Sequence, residues 1–373
     1  MVGEGHEVVA CAPERDPIVE GRLAAMGVRF VQTKLARAGS NPLLDMQTLA
    51  DYMEIILRER PGVVLAYTQK PIIYGGLASR LAGGCRFYAL VSGLGYVFSA
   101  AADHRRVLRA MVRRLYALAV KRAAAVFVFN SDDHAELLRT RIVNRKQKVI
   151  QVPGSGVDLN QFRATPVPDG PPVFLMTARL MLDKGVRQFI EAARIVRARH
   201  PDVRFHLLGK FEEANPTGIS GAELDSWLQD GVVTYLGHTE DVRPYLASST
   251  VFVLPSYYRE GLPRTILEAM ASGRPVITTD MPGCRDPIAE GENGLLVEPQ
   301  NAADLAKAML RFVEQPGLAQ TMGRVSRRIA EARYDVRAVN AQLLKEMRLC
   351  RGDAYADEAV PAHVDQTVTA ASV

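Results

Sequence analysis

The sequence predicts an α/β protein made of two doubly wound parallel domains, and three observations carry this prediction. The chain has 373 residues, which suffices for two domains at about 100–200 residues each. Short apolar runs alternate with helical patterns, as they do in parallel sheets covered by helices on both faces. The alternation stops at a Pro/Gly-rich segment, 153–172, and then starts again.

The first half contains six predicted strands separated by helical patterns. Continuous apolar runs such as 125–129 are typical of parallel strands, because both faces of these strands are buried. The predicted strands are 6–11, 28–32, 63–66, 86–91, 126–129 and 149–152, and the predicted helices are 17–26, 43–60, 71–82, 104–122 and 131–141. A doubly wound domain normally opens with a strand, a glycine-bearing turn and a helix. Here the first strand directly follows Gly3-Glu4-Gly5, so we expect the domain to lack its first strand–helix unit.

The second half repeats the alternation. Its predicted strands are 173–177, 203–208, 232–236, 251–254, 276–279 and 294–297, and its predicted helices are 184–199, 221–229, 241–247, 263–272 and 302–315, followed by 317–330 and 335–350. We expect a first domain over 1–160 and a second over 161–335, facing each other across a cleft. The helix at 336–350 is expected to pack back on the first domain. Residues 351–373 are small, polar and aperiodic, which predicts a disordered tail.

The charge of the chain is unevenly distributed. The net charge is +5, but residues 1–165 carry 23 Lys/Arg against 14 Asp/Glu, whereas residues 166–373 carry 23 against 27. A basic first half favours an anionic partner, which could be a phosphorylated substrate, a membrane surface or nucleic acid. Uncharged apolar runs stay far short of the ~18–20 residues that a membrane span needs.

Several common catalytic and cofactor motifs are missing from the sequence. It contains no GxxxxGK[ST] phosphate loop, no complete GxGxxG, no Asp-x-Asp and no Gly-x-Ser-x-Gly. The four cysteines lie far apart, without a CxxC pair or a cluster of histidines, so we expect no metal site. No cofactor is predicted.

The segment 255–273 predicts an anion-binding helix start. A buried strand ends at Pro255, a loop contains Glu260 and Gly261, and a helix opens near Pro263. The backbone N–H groups of Leu262, Arg264 and Thr265 would face the crevice at the carboxyl ends of the strands. Glu260 and Glu268 could bracket one elongated ligand that offers hydroxyl groups. Alternatively, they are a solvated loop residue and a helix-surface residue.

A second segment, 177–185, places two cations at the same edge of the sheet. Arg179 and Lys184 follow a predicted strand, and together with the helix start they would form a clamp for a diphosphate. The alternative is a pair of surface cations that bind Asp183.

These motifs together resemble family 4 of the retaining glycosyltransferases, which have the GT-B fold. The resemblance rests on Arg179-x4-Lys184, on Glu260-x7-Glu268 within Glu-Gly-Leu-Pro, and on Ala-Ser-Gly-Arg-Pro-Val-Ile. It covers about 173–315 closely and 28–160 weakly, and it is strongest to the bacterial branch that builds lipid-linked surface polysaccharides, such as lipopolysaccharide and exopolysaccharide.

The resemblance implies a role for each of these residues. Arg179 and Lys184 would stabilise the donor diphosphate, Glu260 would hold the hydroxyls of the transferred sugar, and Glu268 those of the ribose. The backbone donors at 262–265 would bind the distal phosphate, and Gly261 would let the ligand approach the backbone closely. The residues implied beside the nucleobase are Gly209, Lys210, Gly237 and His238. Members of the family need no metal and retain the configuration of the anomeric carbon.

The first domain departs from the family pattern. Many relatives carry a histidine after the fourth strand, where this sequence has Ser92 and Gly93. His104 comes later, at a predicted helix start, where it is either a site residue or a surface or capping residue. Lys70 and Asn130 are further candidates for the acceptor side.

The predicted helix 104–122 is basic and amphipathic. Its apolar residues Leu108, Met111, Val112, Leu115 and Leu118 form one stripe, which could face either an anionic lipid surface or the protein core. Nucleic acid is disfavoured, because no stacking platform accompanies the basic residues.

The sequence thus predicts a retaining glycosyltransferase that moves a sugar from a nucleotide sugar, most simply a UDP-sugar, to a lipid-linked saccharide. It would act as a peripheral protein at the inner face of the cytoplasmic membrane. Two alternatives remain: a nucleotide-sugar binding protein without turnover, because its first domain is truncated, or an epimerase of the same GT-B fold.

Overall fold

The computed structural model describes residues 1–35, 41–94, 106–212, 215, 217–315, 317–351 and 367–371. The chain divides into two units, Met1–Val152 with Asn340–Val373, and Pro153–Val339. The first unit therefore ends before the predicted boundary at residue 160. Both units are α/β, and each contains one fully parallel sheet.

The first unit contains a seven-stranded sheet in the order β2-β1-β13-β3-β4-β5-β6. Its strands are β1 Glu7–Ala12, β2 Val28–Gln32, β3 Val63–Tyr67, β4 Arg86–Val91, β5 Ala125–Val128, β6 Val149–Gln151 and β13 Thr367–Ala371. Its helices are α1 Pro17–Ala25, α2 Pro42–Glu59, α3 Gln69–Ala82, α4 Arg106–Val120 and α5 Ser131–Arg139. The six strands and five helices predicted for 1–160 are confirmed within a few residues.

The last strand, β13, corrects the prediction of a disordered tail for Thr367–Ala371. It pairs in parallel with β1 on one side and with β3 on the other. Its first four residues, Thr-Val-Thr-Ala, alternate polar and apolar side chains, but the run is too short to predict a strand. These residues form a strand because β1 and β3 supply backbone hydrogen-bonding partners on both sides of the segment. The sheet is therefore continuous from β1 to β3, where the sequence predicted a missing strand.

Helix α12, Val336–Met347, spans the boundary between the two units. Two contacts hold its last turns to the first unit. Lys148 Nζ lies 2.7 Å from a carboxylate oxygen of Glu346, and the Tyr88 hydroxyl donates a hydrogen bond of 3.4 Å to the carbonyl of Met347. From Asn340 onward, the helix therefore belongs to the first unit.

The second unit contains a six-stranded sheet in the order β12-β11-β10-β7-β8-β9. Its strands are β7 Val173–Thr177, β8 Arg204–Leu208, β9 Thr234–Tyr235, β10 Val251–Leu254, β11 Val276–Thr279 and β12 Gly294–Val297. Its helices are α6 Val186–Arg197, α7 Gly221–Gln229, α8 Arg243–Ala247, α9 Arg264–Ala271, α10 Ala302–Glu314 and α11 Leu318–Arg333. The chain runs from β7 outward to β9, then returns to β10 on the other side. Loops that follow β7 and β10 therefore diverge, and such a reversal of strand order opens a ligand crevice at the carboxyl ends.

The Pro/Gly-rich segment between the sheets is held by a buried arginine. Arg274 is fully buried, and its guanidinium donates to the carbonyls of Thr165 and Pro166. It also donates to the carbonyls of Leu246 and Ala247, at 2.7 and 3.1 Å. The Arg274 side chain therefore links the segment that precedes β7 to α8 and to the end of α9. Burial of the guanidinium lowers the pKa of Arg274 to about 10.

Candidate functional site

The loops at the carboxyl edge of the second sheet bring together the residues expected near a nucleobase. The N–H of Gly209, after β8, donates a hydrogen bond of 2.8 Å to the carbonyl of Gly237, after β9. The carbonyl of Lys210 accepts one of 3.0 Å from Leu180. Gly209 has φ +154°, and a Cβ there would lie 1.7 Å from the carbonyl oxygen of Ala178, so only glycine fits. His238 follows directly and is exposed.

Lys184 and Glu260 meet in the crevice between β7 and β10. Lys184 ends a short 3₁₀ helix, Leu182–Lys184, and its ammonium donates a short hydrogen bond to the Glu260 carboxylate. The side chains are only 16% and 13% exposed. The Lys184 Nζ also lies 5.3 Å from the centre of the Tyr258 ring, a distance at which the ring face attracts a cation.

This pairing decides between the alternatives that the sequence left open. Lys184 binds Glu260 rather than Asp183, and the Arg179 guanidinium lies 3.5 Å from Glu212. Lys184 is therefore not a surface cation paired with Asp183. Arg179 is a surface cation, with 55% of its side chain exposed, but its carboxylate partner is Glu212. A solvated loop position for Glu260 is wrong too, since its carboxylate is largely buried.

The segment that carries Lys184 is docked on the end of β10. The carbonyl of Asp183 accepts hydrogen bonds from the N–H groups of Tyr257 and Tyr258, at 3.0 and 3.1 Å. Gly185 has φ +80°, and a Cβ there would lie 2.1 Å from the carbonyl oxygen of Pro255. Because the backbone is fixed this closely, the Lys184 ammonium is held in place before any ligand binds. The predicted helix 184–199 begins only at Val186, since Gly185 breaks it from the 3₁₀ turn.

Two residues in this crevice were not predicted as site residues. Ser256 is fully buried, and its hydroxyl lies 3.0 Å from Glu260 Oε1 and 3.2 Å from the carbonyl of Asp183. Asp183 itself is half-buried, and its Oδ1 has no hydrogen-bond partner among the described residues. A polar residue just after a buried strand was the available signal for Ser256.

The charges in the crevice influence one another. Burial raises the pKa of Asp183, Lys184 and Arg179 lower it, and Glu260 raises it. Lys184, Glu260 and Arg179 therefore all influence the Asp183 carboxylate. The Arg179 side chain is nevertheless 55% exposed, and its guanidinium lies 3.5 Å from Glu212. Nearby, burial raises the pKa of the Cys284 thiol to about 12, so this thiol stays protonated and is a poor nucleophile.

Helix α9 starts at Arg264, with Pro263 as its N-cap rather than its first residue. Within the described residues no side chain caps this start, so first-turn N–H groups, including those of Arg264 and Thr265, lack a side-chain acceptor. Gly261 and Leu262 precede it, and both are buried. This is the arrangement expected of an anion site.

Glu268 lies in the second turn of α9 and is 12% exposed, so its interpretation as a helix-surface residue is wrong. Arg264 Nε lies 3.1 Å from its Oε1. Burial raises the pKa of Glu268, and Arg264 opposes this shift.

The candidates in the first unit lie at the carboxyl ends of three adjacent strands. Lys70 follows β3 and forms an ion pair of 3.0 Å with Asp45, while Ser92 and the half-buried Gly93 follow β4. Asn130 follows β5, but it is fully buried and caps α5, accepting a hydrogen bond of 2.7 Å from the Asp133 N–H. The Asn130 side chain thus stabilises the start of α5. His104 lies outside the described residues.

Comparison with protein families identifies the class of protein. Residues 1–155 match the family described as glycosyl transferase 4-like domain, and residues 171–315 match glycosyl transferases group 1. The protein is therefore an enzyme of the glycosyltransferase class. The chain belongs to the group 1, family 4-like glycosyltransferases with the GT-B fold, as the resemblance predicted.

Curated bacterial proteins and solved structures show the same likeness. The chain is 28% identical to the N,N'-diacetylbacillosaminyl-diphospho-undecaprenol alpha-1,3-N-acetylgalactosaminyltransferase of Campylobacter jejuni, over 87% of this chain and 86% of that protein. It is 27% identical to an Escherichia coli UDP-Gal:alpha-D-GlcNAc-diphosphoundecaprenol alpha-1,3-galactosyltransferase, over 72% and 71%. Among solved structures, Anabaena Alr3699/HepE in complex with UDP-glucose has a TM-score of 0.74 at 19% identity, covering 92% of this chain and 100% of that one.

Proposed function

We propose that the protein transfers a sugar from a UDP-sugar to a lipid-linked saccharide, with retention of configuration and without a metal ion. The observation that carries the proposal is the largely buried Lys184–Glu260 pair in the crevice where the strand order of the second sheet reverses. Both bacterial relatives are named as transferring a sugar to a diphosphoundecaprenol-linked saccharide, and one of them is named for a UDP-sugar.

The donor would take over the contacts that Lys184 and Glu260 now make with each other. Lys184 and Arg179 would bind the diphosphate oxygens, aided by the N–H groups at the start of α9. Glu260 would then accept hydrogen bonds from hydroxyls of the transferred sugar. Glu268 would hold the ribose, and the nucleobase would lie beside Gly209, Lys210, Gly237 and His238.

The proposed reaction needs positive charge where negative charge develops. The bond between the anomeric carbon and the diphosphate breaks, and the electron pair leaves with the phosphate. The acceptor hydroxyl attacks from the same face, and its proton passes to the leaving phosphate oxygen, so that atoms and charge balance. Cations held in place before the reaction stabilise this departure without reorganising. They would do so in the place of a metal ion.

The first unit would bind the acceptor at the membrane. Helix α4 turns Tyr116 and Ala119 into the core, while Met111 and Leu118 are 48% and 42% exposed. The predicted single stripe is therefore split, since only part of it faces the protein. The exposed side also carries Arg114, and such a mixture of apolar and cationic residues suits an anionic lipid surface at the inner face of the membrane. No helix in the described ranges is both long and apolar enough to span a bilayer.

Glu268→Ala tests the ribose assignment. We expect the Kd for UDP to rise about tenfold, because a buried carboxylate that accepts ribose hydroxyls contributes roughly 1.4 kcal/mol. Titration calorimetry measures this directly, with the exposed Glu314→Ala of α10 as a control for the lost charge. A change confined to the KM of the acceptor would contradict the ribose role.

The function itself is tested by a transfer assay with radiolabelled UDP-sugars, a diphosphoundecaprenol-linked saccharide and EDTA in the buffer. We expect labelled lipid-linked product whose new linkage has the anomeric configuration of the donor. Tight UDP binding without product from any donor would favour the binding protein. Interconversion of the sugar without an acceptor would favour the epimerase.

A further inference from the structure

A cationic cavity lies in the first unit, outside the donor site. It has a volume of about 650 Å³, which is within the range of about 300–1,000 Å³ of ligand pockets. Four cations line it: Lys121, Arg139, Arg141 and Arg145. Its described lining includes no acidic residue, and its apolar part is formed by Leu138, Ile142 and Val143.

The cavity lies away from the acceptor-side candidates. Lys121 follows the C-terminus of α4, and the segment 139–147 connects α5 to β6. In a parallel sheet, these connections lie at the amino ends of the strands. Ser92 and Gly93 follow β4 at the carboxyl ends. A ligand in the cavity therefore does not occupy the acceptor site.

The wall of the cavity is held rigidly. The side chain of Gln147 donates a hydrogen bond of 2.9 Å to the carbonyl of Val120 and accepts one of 2.9 Å from the Asn144 N–H. Ile142 and Val143 are each 2% exposed and anchor the segment in the core. The cations are therefore carried by a fixed backbone rather than by a mobile loop.

Two of the cations are available for a ligand. Arg139 is paired with Glu136 at 2.7 Å, whereas Arg141 and Arg145 have no carboxylate partner within the ranges that the structure describes. Arg141 has φ +56° because it caps the end of α5, where its N–H and that of Ile142 donate to the carbonyls of Leu138 and Leu137. Arg141 and Arg145 are exposed, so both guanidinium groups are accessible to an anion.

We propose that this cavity binds the phosphate headgroup of an anionic phospholipid. Arginine forks suit phosphate oxygens, and the apolar part of the cavity suits the glycerol and upper acyl region. The exposed residues Met111, Arg114 and Leu118 of α4 repeat at helical spacing and lead toward Lys121 at its rim. None of the described lining residues is aromatic, which disfavours a stacked nucleobase. The proposal rests on the membrane part of the proposed function, and adds to it one discrete site.

Vesicle binding tests the proposal with a matched pair of variants. Arg141→Ala/Arg145→Ala removes two lining cations, whereas Arg122→Ala/Lys146→Ala removes two exposed cations that neighbour the cavity without lining it. We expect binding to vesicles of phosphatidylglycerol in phosphatidylcholine to weaken about a hundredfold for the first pair and about tenfold or less for the second. Both variants should unfold in urea like the wild type.

Three results would overturn the proposal. Equal losses from both pairs would mean diffuse attraction without a site. Saturable binding of glycerol 3-phosphate that is as tight as the binding to vesicles would mean that the ligand is a soluble phosphate compound. If Arg141→Ala/Arg145→Ala lost RNA binding but kept vesicle binding, the ligand would be a nucleic acid. Transfer to a water-soluble acceptor analogue should be unchanged in Arg141→Ala/Arg145→Ala. A wild-type enzyme that transfers no sugar would instead contradict the proposed function and leave the vesicle result standing.

Discussion

Replacing Lys184 by alanine is expected to lower kcat about 100- to 1,000-fold. The ammonium is held beside Glu260 by a segment that is docked on β10, so its charge is already in place when the diphosphate begins to leave. Removing one such preorganised group typically costs about 2.7–4 kcal/mol of transition-state stabilisation. Steady-state kinetics with saturating UDP-sugar measures the effect.

Two further variants separate the charge of Lys184 from its packing. Lys184→Arg keeps the charge but replaces a compact ammonium with a planar fork, so we expect an intermediate kcat. Lys307→Ala removes an exposed cation from α10 and should leave kcat unchanged. If Lys184→Ala retained wild-type turnover, the assignment of this residue to the leaving diphosphate would be wrong.

Replacing Arg274 by methionine is expected to lower the free energy of unfolding of the second unit by about 3–5 kcal/mol. The methionine fills a similar volume but donates no hydrogen bonds, so buried carbonyls of residues 165, 166, 246 and 247 lose their donor. Each buried polar group left unsatisfied costs about 1–3 kcal/mol. The change also frees the segment that enters β7.

The only tryptophan of the chain makes this measurement specific. Trp227 lies in α7 and is 6% exposed, so its fluorescence reports unfolding of the second unit in urea. Arg324→Met, at an exposed position of α11, should stay within about 0.5 kcal/mol of the wild type. A similarly small effect of Arg274→Met would show that its hydrogen bonds contribute little to stability.

Most of the fold could be predicted because its strands are buried on both faces and read as short apolar runs. The runs at Val28–Gln32, Arg86–Val91 and Val173–Thr177 were predicted with the bounds that the structure has. Strand β13 could not be predicted in this way. Its residues become a strand through backbone pairing with β1 and β3, which are distant in the sequence.

The site could be predicted in part for a similar reason. Glycine, proline and charged residues at strand ends mark ligand loops, so Arg179, Lys184 and Glu260 were assigned to one crevice. Their pairing was not predictable, because which acid neutralises Lys184 depends on the docking of Asp183 against Tyr257 and Tyr258. Burial of Ser256 and Glu268 likewise depends on tertiary packing that spacing does not reveal.

Titration calorimetry with UDP and with uridine tests most directly whether Arg179 and Lys184 bind the diphosphate. The wild type should bind UDP at least about a hundredfold more tightly than uridine, since charge-assisted contacts to the phosphates contribute roughly 3 kcal/mol or more. In Arg179→Ala/Lys184→Ala this difference should largely disappear, while the affinity for uridine stays the same. A double variant that still prefers UDP as strongly as the wild type would contradict the account.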